Sequence, residues 1–210
     1  DGATLDILDK GSLVMVNDLG KVTNTGTGTT KVHRFTTPFK LYDYVYWSTP
    51  VENTSISSTF EGWNTNRAYE YITGSGWSFA STMFPGKGYI IRVPTPTTSP
   101  GGNQSEVVFS GRVYNGVQKI TGVIPNSAYL LGNPYPSAIN ADVFLDANAG
   151  VLHGTLYFWT HNTAIQLASN IAVGNAGSGA YAYTSDDYAT YNTTGGVATS
   201  AAKSSGKNKG

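Results

Sequence analysis

Chemistry in this chain of 210 residues would have to come from three histidines, thirteen acidic side chains and fourteen tyrosines, because it has no cysteine. That last count excludes disulfides, zinc–thiolate sites and a thiol nucleophile. A hydrolase needs a nucleophile, a base and a group to orient it, or a carboxylate pair in a cleft. His33 alternates with apolar residues in Lys31-Val32-His33-Arg34-Phe35, the spacing of a solvent-facing strand residue. His153 falls in the loop before Gly154. His161, in Thr160-His161-Asn162-Thr163, is read as bonding a turn, with ligand contact as the alternative. Asp142 and Asp146 lie four apart, where a helix would offer both to a cation or an acid–base step; a solvated face is the preferred reading. Asp186-Asp187, between Tyr183 and Tyr188, present hard oxygens of the kind calcium prefers, but without EF-hand spacing. There is no Gly-x-Ser-x-Gly elbow, His-Glu-x-x-His pair or phosphate loop. The expectation is therefore a non-enzyme with no cofactor, calcium being the one ion considered.

Tyr181, Tyr183, Tyr188 and Tyr191 punctuate a polar stretch that reads as a loop. With His161 they are the candidate ligand contacts, since tyrosine rings stack on sugars while Asn and Thr bond the hydroxyls. Trp47 and Trp159 are assigned to the core, where large aromatics contribute most buried area.

The elements that must position these residues read as short strands. Runs rich in Val, Ile, Tyr, Phe and Trp occupy 5–8, 12–16, 31–35, 42–47, 67–72, 89–93, 106–111, 116–121, 128–131 and 155–159. Thr73-Gly74-Ser75-Gly76 and Pro85-Gly86 mark turns, and Asn115-Gly116 suits a type I′ hairpin. One helix is expected over 137–147, capped by Ser137 or Asn140, with Ile139, Val143 and Phe144 on its buried face. Prolines at 94, 96 and 100 predict a linker, and the stretch from Thr193 a mobile tail. The fold class is all-β: two related β-sandwich-like modules in tandem with one short helix. The boundaries fall at 1–40 for N-terminal strands, 41–125 for a first module and 126–210 for a second. The relation between modules rests on a weak repeat, Trp47-Ser48-Thr49-Pro50 against Leu131-Gly132-Asn133-Pro134, and Tyr69-Glu70-Tyr71 against Tyr157-Phe158-Trp159.

Composition narrows the partners. Acidic and basic residues cancel, so the basic imprint of a nucleic-acid binder is missing. Charged residues make up 12% of the chain, about half the usual share of ~25%. No apolar run approaches the ~20 residues of a membrane-spanning helix. The chain starts at Asp1 instead of Met, which reads as a mature form or an excised segment.

Four strings occur in order: Asp43-Tyr44-Val45-Tyr46-Trp47-Ser48-Thr49-Pro50-Val51, Pro85-Gly86-Lys87-Gly88-Tyr89, Tyr129-Leu130-Leu131-Gly132-Asn133-Pro134-Tyr135-Pro136-Ser137, and Gly154-Thr155-Leu156-Tyr157-Phe158-Trp159-Thr160-His161-Asn162. Together they resemble a segment of secreted and surface-exposed proteins of Bacteroidetes, especially flavobacteria, that leave the cell by type IX secretion. The resemblance runs from about Ser12 to about Asn192. It implies an extracellular or cell-surface location, N-terminal strands that continue repetitive β-structure, and a structural or adhesive role, filament-forming in some settings. The partners implied are cell-surface or matrix components, glycans among them. The alternative is a carbohydrate-binding module using the four tyrosines. In this family a second Gly-x-Gly strand closes the second module; its absence predicts an open edge on the 128–159 module and homo-oligomers formed by strand addition.

Overall fold

The computed structural model describes residues 2–95, 103–160, 162–163, 165–170 and 181–197. The proline-rich stretch read as a linker, His161 and the last part of the tail lie outside the described residues. The fold is all-β, as the sequence predicts, and the described residues include one helix longer than a single turn. Two compact units divide the chain: Asp1–Pro38 with Tyr44–Ala138, and Phe39–Asp43 with Ile139–Gly210.

The first unit holds β1 (Thr4–Ile7), β2 (Thr29–Phe35), β3 (Tyr44–Trp47), β4 (Thr54–Ser55), the one-turn α1 (Ile56–Thr59), β5 (Asn64–Ile72), β6 (Gly76–Phe79), β7 (Thr82–Met83), β8 (Tyr89–Arg92) and β9 (Glu106–Ser110). One sheet runs β1-β2-β9, with β1 parallel to β2; a second runs β3-β8-β5-β6, all antiparallel; β4 and β7 form a small third. The turn expected at 73–76 joins β5 to β6, where Gly74 and Gly76 take positive φ values of 82° and 91° that a Cβ would oppose.

The two larger sheets meet through rings. Trp47 on β3 packs against Phe109 on β9 with centroids 6.0 Å apart, and Phe60 and Trp63 fill the space between, 5.3 and 5.7 Å from Trp47. Val32, Ala68, Tyr89, Ile91 and Val107 complete this buried layer. Alternation places them there: β8 and β9 bury every second residue, Tyr89 and Ile91 on one, Val107 and Phe109 on the other. Trp47 is thus a core residue, and its indole N–H has no acceptor among the described residues.

The second unit holds α2 (Ala141–Ala147), β10 (Leu156–Trp159), β11 (Gln166–Leu167), β12 (Tyr181–Ala182), β13 (Tyr188–Asn192) and β14 (Gly195–Val197). Its described sheets are β10-β13-β14 and β11-β12, both antiparallel. Asn140 caps α2, its side chain accepting from the Val143 amide at 3.1 Å. The buried face is corrected, however. Leu145 is the buried residue of α2, whereas Val143 is 63% exposed.

Three expected strands do not form as strands. Among the described residues, 12–16 and 116–121 join no strand ladder, and in 128–131 only Leu131 makes a bridge, to Lys87. The Asn115-Gly116 hairpin is also absent, because a type I′ turn needs both residues at positive φ and only Gly116 has it, at 75°. The Asn115 side chain explains the outcome: its amide donates to the carbonyls of Asn17 at 2.6 Å and Gly20 at 3.1 Å, bracing another loop. Residues Gly195–Val197 of the tail form β14 by pairing with β13.

Candidate functional site

Trp159 ends β10, and Tyr188 begins β13 directly opposite it in the register. Cross-strand partners of this kind stand close enough for their rings to touch. The Tyr188 ring meets the indole at 5.1 Å and the Tyr183 ring meets it at 4.7 Å, both edge-on. All three are half-buried. Three of the four tyrosines are therefore strand residues, Tyr181 on β12 and Tyr188 and Tyr191 on β13, while Tyr183 lies in the connection just after β12. The polar residues between them misled the sequence reading; Asp186 and Asp187 belong to a single 3-10 turn, and strand-forming Tyr, Ala and Thr resume at once.

Two of the hydroxyls, those of Tyr183 and Tyr191, have partners within the second unit. Tyr191 donates to the Asp142 carboxylate at 2.7 Å, tying β13 to α2. That carboxylate holds the Tyr191 phenol above its usual value of 10. The Tyr183 hydroxyl reaches the Tyr42 carbonyl and the Asp43 carboxylate at 3.4 and 3.5 Å. Asp43 is fully buried and accepts from the Lys40 amide at 2.8 Å.

Asp187 also has a fixed task. It is fully buried, and its two carboxylate oxygens accept from the Thr163 amide at 2.9 Å and from the Thr163 hydroxyl. Its carbonyl accepts from the Thr160 amide and hydroxyl. A carboxylate with both oxygens so engaged is a latch between the end of β10 and the start of β13. Thr160 and Thr163 were missed by sequence reasoning, and no motif announces them. Asp146 and Asp186 are exposed, in keeping with the solvated face preferred for the α2 pair, and Asp142 is engaged by Tyr191. Among the described residues no three histidines, aspartates or glutamates gather as a metal site.

His33 lies on β2 beside the buried Val32, alternating away from the core as its spacing predicts, and there it holds two partners. Its Nδ1 lies 2.8 Å from Glu106 on β9 and its Nε2 3.0 Å from Asp6 on β1, so one imidazole spans three strands. Ionised carboxylates only accept, so the ring that fits both is the doubly protonated one. Its pKa is raised above 6.5, first by the bond to Asp6 and then by that to Glu106.

Three of the four strings that carry the resemblance, around Ser48, Gly88 and Gly132, meet in the first unit. Gly88 donates its amide to Leu130 and Gly132 its amide to Gly86, both at 3.0 Å. The Ser48 hydroxyl donates to the Asn133 carbonyl at 2.9 Å. A Cβ on Gly88 would lie 2.6 Å from Leu130 Cγ, so only glycine admits this approach. A family model described as a domain of unknown function, DUF8693, matches residues 1–209. The chain belongs to that family. No curated protein and no solved structure matches it. In this DUF8693 chain the two corners read as counterparts in separate modules, around Pro50 and Pro134, lie in one unit and brace each other through Ser48 and Asn133. Beside them is a groove of about 300 Å³, bordered by Leu13, Val14, Met15, Asn115, Val117 and Tyr135.

Among the described residues of this DUF8693 chain, no helix is long and apolar enough to cross a membrane.

Proposed function

We propose that the chain is a non-catalytic structural or adhesive module of a secreted or cell-surface bacterial protein. One observation carries the reading: the groups that chemistry would require are committed to bracing bonds, Asp187 to Thr163, Asp142 to Tyr191, and His33 to Asp6 and Glu106. Each bond joins segments distant in sequence, which is the work of a scaffold. The sequence resemblance to exported Bacteroidetes proteins supports the location and names matrix or cell-surface components as partners. The test is retention of the purified chain on bacterial surfaces and extracellular matrix, alongside a panel of esterase, glycosidase and peptidase substrates. Surface retention with no turnover is expected. Turnover that survives repurification and disappears in His33→Gln or Asp142→Asn would overturn the reading.

A second reading, carbohydrate binding, is favoured by the half-buried rings of Tyr183 and Tyr188 around Trp159, next to the exposed Tyr157. A glycan array compares the native chain with Tyr157→Ala and Tyr183→Ala. Binding lost in these variants supports it; an array without signal removes it.

A further inference from the structure

We propose that residues 12–16 form an open strand edge through which two copies of the chain pair antiparallel about a two-fold axis. This deepens the structural reading above by giving it an assembly contact.

Ser12-Leu13-Val14-Met15-Val16 alternates exposed and half-buried residues, with Leu13 and Met15 turned inward. That is the period of a strand. A single backbone bond attaches it, from the Leu13 amide to the Pro136 carbonyl at 3.1 Å; the Ser12 hydroxyl also accepts from the Ala138 amide at 3.4 Å. The backbones of Val14, Met15 and Val16 make no hydrogen bond in the described structure. Successive residues of a strand direct their amides and carbonyls to opposite sides. Leu13 faces Pro136, so Val14 and Val16 present theirs to the open side.

The side chains fit the same conclusion. Val14 is 68% exposed and Val16 96%, and Val117, 70% exposed, shares the groove with Val14. Exposed edges in native proteins are shielded by lysine, proline, a bulge or a charge. The stretch 12–16 contains none of these. A second copy is the occupant that fits, because an antiparallel edge is complementary to itself about a two-fold axis. With the axis at Val14, Ser12 of one copy faces Val16 of the other. The segment is uncharged and the whole chain has no net charge, so nothing repels the pairing.

Sedimentation velocity on the full chain, from low to high micromolar, tests this with Val14→Lys, Val16→Lys and the control Val143→Lys. The native chain and the control should form a concentration-dependent dimer. Val14→Lys should weaken it about 100-fold or more, since its two copies face each other at the axis, and Val16→Lys should weaken it about 10-fold by setting a charge into the uncharged pairing opposite Ser12. Val16 is almost wholly exposed, so its variant keeps the fold even if Val14→Lys does not. A native chain that stays monomeric, or a dimer untouched by both edge variants, overturns the proposal. A monomer that still adheres to surfaces would overturn the dimer alone and leave the adhesive reading standing.

Discussion

Gly132 approaches Ser48 so closely that a Cβ built on it would lie 2.5 Å from the serine's Cβ, and nearer still to the Lys87 carbonyl. Neither neighbour is the loose end of a flexible side chain. Gly132→Ala must therefore part the backbone bridge between 86–88 and 130–132, at a cost of about 3 kcal/mol. Urea unfolding should show the loss, and Ser48→Gly in the same background should recover part of it by clearing the nearer side chain.

The imidazole between Asp6 and Glu106 makes stability depend on pH. Folding raises the His33 pKa above 6.5, so the folded chain holds that proton more tightly. The stabilisation is complete below about 6.5 and disappears as pH rises through the higher folded value. The other charged groups on its strand are Lys31 and Arg34. The urea midpoint of the native chain should fall across this window, while that of His33→Gln should not follow it. Parallel curves for the two proteins would show that the ring contributes nothing.

Removing the buried Asp187 carboxylate takes the acceptor from the half-buried Thr163 amide. Asp187→Ala should cost about 2–3 kcal/mol, while Asp187→Asn, which keeps one acceptor oxygen, should cost less. Near-ultraviolet circular dichroism should report the change as well, since Trp159, Tyr183 and Tyr188 pack beside this turn.

Helix α2 offers a contrast between neighbours. Leu145→Ala should destabilise by about 3 kcal/mol because it empties a buried site. Asn140→Ala should cost about 1 kcal/mol through loss of the cap. Val143→Ala, on the exposed side, should change thermal unfolding little.

The all-β class was legible because strand formers and glycine turns recur at short spacing, and the larger strands appeared within a few residues of their places. The cap at Asn140 was legible too, since capping is decided within four residues. What the sequence hid was pairing. Residues 12–16 and 116–121 have the composition of strands, but a strand exists only when another segment supplies its hydrogen bonds. The latch at Asp187 depends on Thr163, twenty-four residues away, and the His33 bridge on Glu106, seventy-three residues away. No local pattern records such meetings. The tyrosines were found as a group but assigned to a loop, because polar spacing concealed the strand that Trp159 organises.

The second unit borrows Phe39–Asp43 from the early part of the chain. Phe39 and Asp43 are buried there, and the Lys40 ammonium donates to the Asn162 carbonyl at 2.9 Å. A polypeptide cut at Ile139 would thus carry away most of that unit yet lack an interior ring, an interior carboxylate and a clamp. On the ribosome this pentapeptide emerges about a hundred residues before its companions, so the second unit cannot complete its interior until the chain beyond Ile139 has been made.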